Sequence, residues 1–373
     1  MLADISPPPD HPSVGAPFGL YVHIPFCVER CDYCAFAVWT DRSHLMARYA
    51  RACARQAGDA DLAPASSVFF GGGTPSLLDP DLFVQILDAL PRRPDVEVTV
   101  ECNPETVTPT LLAAYREAGV TRLSFGVQSM VAEVLSSLGR RHDPATVHRA
   151  VAAAAGAGFG DAFSVDLIFG AAGESVDAWR RSLEAVLALD PSPSHISAYG
   201  LTVEPGTALA ADSRRHPDPD DQADKYALTD DLLGQAGLDW YEISNWARPG
   251  AECSHNRLYW RQGAYRGIGC AAHSHAILPD GRSKRWWNVR TPERYSKLVE
   301  TGADPEAVSE LLDAETRRWE ALTLALRTRD GVPSDALADD PVLDGLVQSA
   351  GGRAVLTLRG RLLANEVAAR LIS

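Results

Sequence analysis

The sequence predicts an α/β protein: a parallel (β/α) barrel or partial barrel, followed by a smaller C-terminal domain. Two observations support this prediction. Strand-like apolar runs alternate with helical patterns up to about Trp246. Many of these runs are apolar on both faces, as strands are when helices cover a parallel sheet. With 373 residues, 46% of them hydrophobic, the chain is long enough for two domains with buried cores.

Six runs are predicted as strands, and five stretches between them as helices. The strand runs are GLYVHI, SSVFFGG, VEVTVEC, RLSFGVQS, FSVDLIFG and HISAYGLT. The helices are expected over residues 43–56, 79–90, 108–117, 144–155 and 176–189. Asp79, Thr108 and Asp143 each precede a proline, a combination typical of a helix start. In such a fold the chemistry is expected on loops that follow the carboxyl ends of the strands.

Four segments are expected along the chain. Residues 1–16, rich in proline and polar residues, are predicted to be a disordered lead-in, and residues 17–250 form the barrel. Residues 251–291 are an aromatic- and histidine-rich connecting segment without a clear helical period, expected to be a β-hairpin or a long loop. Residues 292–373 are expected to form a mainly helical, winged-helix-like domain that serves for packing rather than DNA binding.

Charge and cysteine usage narrow the class of protein. Lys and Arg number 35 and Asp and Glu number 49, so the net charge is 35 − 49 = −14, which disfavours nucleic acid as a partner. No apolar run is long enough for an integral membrane segment, and the first residues lack the pattern of a secretory signal. Seven cysteines without a framework pattern favour a reduced, cytoplasmic protein.

Three of the cysteines, Cys27, Cys31 and Cys34, lie within eight residues directly after the first predicted strand. This spacing lets a loop wrap one small inorganic centre with three thiolates. Three packed core cysteines are the alternative, and charged neighbours such as Glu29 argue against it. Zinc would need a fourth ligand, for which only His23 is near. A cubane iron–sulfur cluster normally takes four thiolates, so three would leave one iron open.

The segment CVERCDYC resembles the C-x-x-x-C-x-aromatic-C signature of radical S-adenosylmethionine proteins. The resemblance implies a partial (β/α) barrel of the radical S-adenosylmethionine type with a [4Fe-4S] cluster held by the three cysteines. In that family the amino and carboxylate groups of S-adenosylmethionine chelate the open iron. An electron from the reduced cluster then cleaves the sulfonium to a 5′-deoxyadenosyl radical, and the need for that electron makes a reductant protein a candidate partner.

Polar residues are predicted at the ends of successive strands. FFGGGTPS ends one strand in three glycines, and VECNPE, SFGVQS, SLGRRH and SVDLIFG supply Glu101, Gln128, Arg140 and Asp166. One polar residue at each of several strand ends is the layout of a site at a barrel mouth. Each residue alone is more often a helix cap or a surface ion pair than part of a site.

Together these motifs resemble the oxygen-independent coproporphyrinogen III oxidase group, whose members are dehydrogenases. The resemblance implies two sets of contacts. The cluster-bound S-adenosylmethionine would be contacted by Tyr21, Gly72 and Glu101. A second such molecule would be contacted by Gly73, Thr74, Gln128, Arg140 and Asp166.

The sequence departs from the dehydrogenases at two points. They carry another cysteine where this chain has Phe36, and a longer segment before the first strand. HNRLYW, residues 255–260, instead matches the H-N-x-x-Y-W motif of the sister group HemW, haem chaperones that bind haem and deliver it to acceptor proteins. The closer resemblance is to this group. It implies haem as a ligand and an unidentified haem acceptor, with radical decarboxylation of coproporphyrinogen III as the alternative function.

His255 is the favoured axial haem ligand, since imidazole is a common one and aromatic neighbours can stack on a macrocycle. From the residues alone, His255 could instead be a histidine satisfied by a hydrogen-bond partner, with Tyr259 and Trp260 packing the barrel edge. Competing ligands are His273, His275, Cys253 and Cys270.

Overall fold

The computed structural model describes residues 16–372, and its largest feature is a single twelve-stranded sheet. The predicted lead-in of residues 1–16 lies, except for Ala16, outside the described residues. Six strands follow one another in chain order, each parallel to the next. They are β1 (Phe18–Ile24), β2 (Ala65–Gly72), β3 (Arg92–Cys102), β4 (Arg122–Gln128), β5 (Phe163–Phe169) and β6 (His195–Gly200). All six predicted strands are therefore present.

Helices connect these strands, as a parallel sheet requires. They are α1 (Met46–Asp59), α2 (Pro80–Asp88), α3 (Pro109–Glu117), α4 (Ala132–Ser137), α5 (Pro144–Gly156), α6 (Val176–Leu187) and α7 (Pro219–Gln235). The side chains of Asp79, Thr108 and Asp143 accept backbone N–H groups of the first turns, which confirms the three predicted caps. The five predicted helices are confirmed, while α4 and α7 were not predicted.

The sheet continues beyond the six parallel strands at both edges. Next to β6 lie two antiparallel strands, β8 (Asn245–Ala247) and then β7 (Asp239–Glu242). Next to β1 lies β9 (Ala264–Ile268), parallel to it, followed by the antiparallel strands β10 (His273–Ile277), β11 (Ser283–Asn288) and β12 (Glu306–Leu312). Among residues 16–372 no strand pairing joins β12 to β7, so the sheet is open. The predicted partial barrel is confirmed.

The connecting segment differs in part from its prediction. Strands β10 and β11 form the expected hairpin, but HNRLYW lies in a helix, α8 (Ser254–Trp260). A Cβ added to Gly19 of β1 would lie 2.6 Å from the Leu258 side chain and 3.0 Å from the His255 ring. The helix therefore packs directly on the face of β1 that also carries Tyr21. The expectation of a segment without helix was wrong here.

The C-terminal part combines helices with a small sheet. Helix α9 (Pro292–Glu300) packs on α1 through the rings of Tyr49 and Tyr295, with centroids 5.3 Å apart, and β12 joins the large sheet. The remaining elements are α10 (Ala314–Leu326), β13 (Val332–Pro333), β14 (Val347–Ala350), β15 (Arg353–Leu356), α11 (Leu358–Leu362) and α12 (Ala364–Ala368). They enclose a core of their own around Leu326 and Val367. The predicted division at residues 250 and 291 stays a prediction.

The two faces of the parallel sheet have different chemistry. On β4, Leu123 and Phe125 are fully buried in the core, while Arg122 and Ser124 point to the opposite, inner face. Each fully buried large apolar side chain stabilises the fold by about 1.5–3 kcal/mol. The inner face is thus free to carry polar groups that the core does not need. No helix within residues 16–372 is long and apolar enough to cross a lipid bilayer.

Candidate functional site

The loop after β1 brings the three predicted cysteines to one cavity. The loop is fixed to the segment that follows it, because Cys27 N donates to Trp39 O at 3.1 Å and Trp39 N donates to Pro25 O at 2.8 Å. Cys27, Cys31 and Cys34 all line a cavity of about 440 Å³. All seven cysteines of the chain are free thiols. Cys102 lines it as well, so this cavity, which we call the cysteine cavity, contains all three cysteines of the motif and one further thiol.

Two hydrogen-bond donors point at the sulfurs of this loop. Thr74 Oγ1 donates to Cys27 Sγ at 3.6 Å, and Arg140 Nη1 donates to Cys31 Sγ at 3.5 Å. Burial raises the pKa of the Cys27 thiol to about 11 and also raises the pKa of the Cys34 thiol. Burial alone thus favours neutral thiols, and these donors favour the thiolates that a metal centre needs.

The three thiols share a cavity, which is what an iron–sulfur cluster would need. Within the described range no three His, Cys, Asp or Glu side chains are grouped around a position for one metal ion. A cubane cluster takes its cysteine ligands on separate irons, so it needs a shared cavity rather than one point. Space for it depends on Gly73, where a Cβ would lie 2.7 Å from Phe26 O, 2.8 Å from Ile24 O and 3.1 Å from Cys27 Sγ.

The glycine preceding it, Gly72, holds two neighbouring groups in place. Its φ is +108°, and a Cβ would lie 2.4 Å from the His23 ring, so a side chain is excluded twice. Gly72 N donates to a carboxylate oxygen of Glu101 at 3.0 Å. Both ring nitrogens of His23 have partners, with Nε2 3.0 Å from Ala37 O and Nδ1 3.1 Å from the Tyr21 hydroxyl.

Two carboxyl groups face the cavity from neighbouring parts of the sheet. Glu101 lies at the end of β3 as predicted, whereas Asp166 lies in the middle of β5 and not at its end. Asp166 accepts hydrogen bonds from Ser124 Oγ at 2.8 Å and from Ser197 Oγ at 2.7 Å. Desolvation raises the pKa of both carboxyls, and for Glu101 the negative charge of Asp166 adds to it, giving a pKa of about 8. This pair favours a cationic or hydroxyl-rich ligand.

The raised pKa of Glu101 predicts a pH effect on stability. Between pH about 4.5 and about 8 the folded protein keeps a proton on Glu101 that the unfolded chain has released. The free energy of unfolding should therefore fall as the pH rises through this window, by at most about 1.4 kcal/mol per pH unit from this group. Glu101→Gln should remove that fall. In urea unfolding, the free energy of unfolding of the variant relative to that of the parent should therefore be higher at pH 8 than at pH 5. If the free energies of unfolding of parent and variant change equally with pH, the raised pKa of Glu101 is wrong.

Gln128 and Arg140 complete the mouth of the barrel. Gln128 ends β4 with a φ of +65°, a backbone strain that is uncommon outside glycine and concentrated at functional sites. Arg140 Nη2 donates to Asn103 Oδ1 at 3.0 Å and to Gly126 O at 2.9 Å, while its buried Nε lacks a partner among the described residues. Both side chains line the cavity of the three cysteines. Gln128 and Arg140 thus lie with Glu101 and Asp166 in the wall of the cavity that the three cysteines line.

A second, larger cavity of about 810 Å³ extends along the inner face of the sheet. We call it the lumen cavity. Aromatic rings form much of its wall: those of Tyr21, Phe69, Tyr199, Tyr259, Tyr265 and Trp287. It adjoins the cysteine cavity, because Gly72, Glu101, Ser124, Asp166 and Tyr199 line both. A flat apolar ligand with a few polar groups suits a cavity of this size and lining.

His255 lies in the wall of the lumen cavity, 1% exposed. Its Nδ1 is 3.0 Å from Ser67 Oγ, its Nε2 is 2.9 Å from the Tyr259 hydroxyl, and its ring stacks on Phe69 at 5.4 Å. Burial lowers the pKa of His255 to about 3, so the imidazole is neutral, the form that ligates a metal. Both ring nitrogens are engaged, and a haem iron would have to replace the Tyr259 hydroxyl. The ligand role of His255 stays a prediction.

The competing ligands lie in different environments. His273 also lines the lumen cavity, where it is exposed and its ring stacks on that of Trp287 with centroids 5.3 Å apart. His275 lines a different cavity, and its Nδ1 lies 2.9 Å from Gly263 O. Cys253 lines the lumen cavity. Cys270 is fully buried, and the Tyr49 hydroxyl donates to its Sγ at 3.5 Å. His273 is therefore the strongest competitor of His255.

Some residues of the lumen cavity were missed by sequence reasoning. Arg122, Ser124 and His195 line it at inward positions near the starts of β4 and β6. The period-two alternation of β4, with Arg122 and Ser124 between apolar neighbours, is the signal that could have identified them.

Comparison with known proteins is consistent with this arrangement. A family model described as the Radical SAM superfamily matches residues 21–186. "Heme chaperone HemW" of Mycobacterium tuberculosis is 40% identical, covering 97% of this chain and 96% of its own length. "Heme chaperone HemW" of Escherichia coli is 34% identical, covering 94% and 97%. The solved structure of coproporphyrinogen III oxidase (HemN) from Escherichia coli, described as a radical SAM enzyme, covers 95% of this chain and 89% of its own. Its TM-score is 0.79 at 23% identity.

The structural likeness establishes the fold, and the relatives establish the family. Identities of 34% and 40% extend over almost the full length of both chains in each pair. They confirm the resemblance that the cysteine motif and HNRLYW indicate. The chain belongs to the HemW family of the radical SAM superfamily.

Proposed function

We propose that this protein is a haem chaperone: it binds haem in the lumen cavity and passes it to an acceptor protein. The observation that carries the proposal is the position of HNRLYW. Helix α8 places His255 and Tyr259 in the wall of the aromatic-lined lumen cavity, which adjoins the cavity of the three cysteines. The names of the relatives from Mycobacterium tuberculosis and Escherichia coli support the same function.

The cysteine cavity is proposed to hold a [4Fe-4S] cluster on Cys27, Cys31 and Cys34. S-adenosylmethionine would complete the coordination of the cluster, and it carries a sulfonium and an ammonium charge. The carboxyl of Asp166 offers the opposite charge, the carboxyl of Glu101 offers a hydrogen-bonding group, and the unpartnered Nε of Arg140 offers a donor. The proposed contacts of the cluster-bound molecule are Tyr21, Gly72 and Glu101, and those of a second molecule are Gly73, Thr74, Gln128, Arg140 and Asp166.

The partners follow from this chemistry. A haem acceptor protein must take the haem, and a reductant protein would be needed if the cluster is reduced during the cycle. Seven free thiols suit the reducing cytoplasm, where we propose that the protein acts. The net charge of −14 disfavours nucleic acid as a partner.

Haem titration of the cluster-loaded protein tests the proposal. The parent should bind about one haem per chain, and His255→Ala should shift the Soret band or lower the affinity while leaving the iron–sulfur content unchanged. His273→Ala is the matched control, because this histidine lines the same cavity. If His273→Ala changes the spectrum and His255→Ala does not, the iron ligand is His273. Identical titrations of parent and both variants would contradict a specific haem site on either histidine.

Oxidative decarboxylation of coproporphyrinogen III is the second candidate function, favoured by the structural likeness to the coproporphyrinogen III oxidase HemN. Phe36 stands where the dehydrogenases carry a further cysteine, and its exposed ring lines both cavities. Reduced protein incubated with S-adenosylmethionine and coproporphyrinogen III should therefore form no protoporphyrinogen. Multiple turnovers per chain, detected by chromatography, would establish the enzyme instead.

A further inference from the structure

The wall of the lumen cavity contains a buried arginine without an ion pair. Arg122 begins β4, is 8% exposed and lines the cavity. Its Nη2 has no hydrogen-bond partner, and in the part of the chain that the structure describes no carboxylate oxygen lies within 4.0 Å of its guanidinium. Buried arginines are normally paired, so this one requires an explanation.

The nearest negative groups are committed elsewhere. The carboxylate of Glu97 accepts the backbone N–H groups of Ser254 at 2.9 Å and His255 at 3.3 Å, and so holds the first turn of α8. The carboxylate of Asp166 accepts from two serine hydroxyls. Both act on Arg122 through their charge, together with Cys253 and Tyr241, but neither forms a contact with it. The guanidinium therefore keeps donors that can bind an added anion.

Two more unpartnered polar atoms lie on the same side of the sheet. Thr99 pairs directly with Arg122 across β3 and β4, and its buried Oγ1 has no partner among the described residues. His195 lies on β6, two strands beyond β4. It is in register with Ser164 of β5, which is in register with Ser124 of β4. Among the described residues its buried Nδ1 has no hydrogen-bond partner. Thr99 has no exposed surface and does not line the lumen cavity, whereas Arg122 and His195 both line it. The unsatisfied atoms of Arg122 and His195 indicate a polar ligand group that they would share.

The second polar group of this wall is His195. Its Nε2 lies 2.9 Å from the Tyr241 hydroxyl, which also accepts from Asn256 Nδ2 at 3.2 Å. Burial, and then the charge of Arg122, lower the pKa of His195, so the ring is neutral. In the tautomer whose Nε2 accepts the Tyr241 hydroxyl, the unpartnered Nδ1 carries the proton and is a donor. Arg122 is a donor in every state, and its fixed positive charge selects an anion.

We propose that Arg122, with His195, binds a carboxylate of the molecule in the lumen cavity, namely a propionate of haem. This inference rests on the proposed haem-chaperone function and adds the group that orients the macrocycle. The aromatic wall takes the flat, apolar body of haem, and the buried guanidinium takes the charged edge. A planar guanidinium matches a carboxylate in two parallel hydrogen bonds.

Haem and haem dimethyl ester, which has both propionates blocked, provide the test. Cluster-loaded parent protein should bind haem about tenfold or more tightly than the ester, as a charge-assisted hydrogen bond allows. Arg122→Gln should bind the two forms equally, and Arg122→Lys should recover part of the preference. Arg181→Gln removes the same charge from an exposed position on α6, outside both cavities, and should retain the full preference.

The outcomes separate this inference from the proposed function. If Arg122→Gln binds haem and still prefers the free acid to the same extent, the propionate site is wrong and haem binding stands. If the parent binds neither form, the haem-chaperone function itself fails. If Arg122→Gln instead loses affinity for S-adenosylmethionine with its haem preference intact, the carboxylate belongs to that molecule and the inference is overturned. Should Arg122→Gln fail to fold, His195→Phe must show a reduced preference for the free acid, and an unchanged preference would overturn the inference.

Discussion

Cys31→Ala is expected to abolish the visible absorbance of an iron–sulfur cluster after anaerobic reconstitution with iron and sulfide. Cys27→Ala and Cys34→Ala should do the same. Each change removes one of the three motif cysteines that line the cysteine cavity, and a cluster already short of its fourth thiolate would lose a further ligand. Iron and acid-labile sulfide content of the purified variants, measured beside the absorbance spectrum, gives the result.

Cys102→Ala is the matched control for this prediction. Cys102 is a buried thiol that lines the same cavity but lies outside the motif, at the end of β3. Its loss should leave iron and sulfide content at the level of the parent. Cys53→Ala, in the core beside α9, should behave likewise. A cluster that survives the loss of Cys31 and disappears with Cys102 would show that the ligands are assigned wrongly.

Gly73→Ala should disrupt the cluster site without touching a ligand. The added Cβ would approach the carbonyl oxygens of Ile24 and Phe26 to 2.8 and 2.7 Å, and both are backbone atoms that cannot rotate away. The same oxygens accept the N–H groups of Gly73 and Thr74, so the clash opens the contact between the cysteine loop and the glycine run. We expect substoichiometric iron and loss of the change that S-adenosylmethionine causes in the electron paramagnetic resonance signal of the reduced cluster.

Gly58→Ala makes the same chemical change where the outcome should be opposite. Gly58 lies near the end of α1, and a Cβ there meets nothing within 4 Å. Alanine in place of a helical glycine should stabilise the fold by about 0.5–1 kcal/mol and leave the cluster unchanged. If Gly73→Ala retained full iron content and the same resonance change as Gly58→Ala, the close approach at Gly73 would have no functional role.

The parallel half of the fold could be predicted because its signals are local and repeated. Strands such as β5 are apolar on both faces, and helices such as α3 begin with a capping residue and a proline. Helix α7 begins in the same way, with Asp218 before Pro219, but its acidic sequence has no clear apolar stripe and it was not predicted.

Helix α8 and the lumen cavity depend on tertiary structure that the sequence does not display. The helix has seven residues and lacks a side-chain cap, so it is too short for a periodic pattern. It forms because the sheet offers Gly19 as a space for Leu258 and Glu97 as an acceptor for its first N–H groups. Glu97 and Gly19 are remote from α8 in sequence, and only the folded sheet brings them to it. The orientation of Arg122 into the cavity depends on the same register.

The wall shared by the two cavities has a thermodynamic consequence. If haem and S-adenosylmethionine bind as proposed, each contacts side chains that the other also needs, among them Glu101 and Asp166. The factor by which one ligand changes the dissociation constant of the other must then be the same in both directions. Titrating haem with and without S-adenosylmethionine, and the reverse, forms a closed cycle with one coupling constant. If each ligand strengthens the binding of the other, protein loaded with S-adenosylmethionine retains haem. If each weakens the other, S-adenosylmethionine promotes the release of haem.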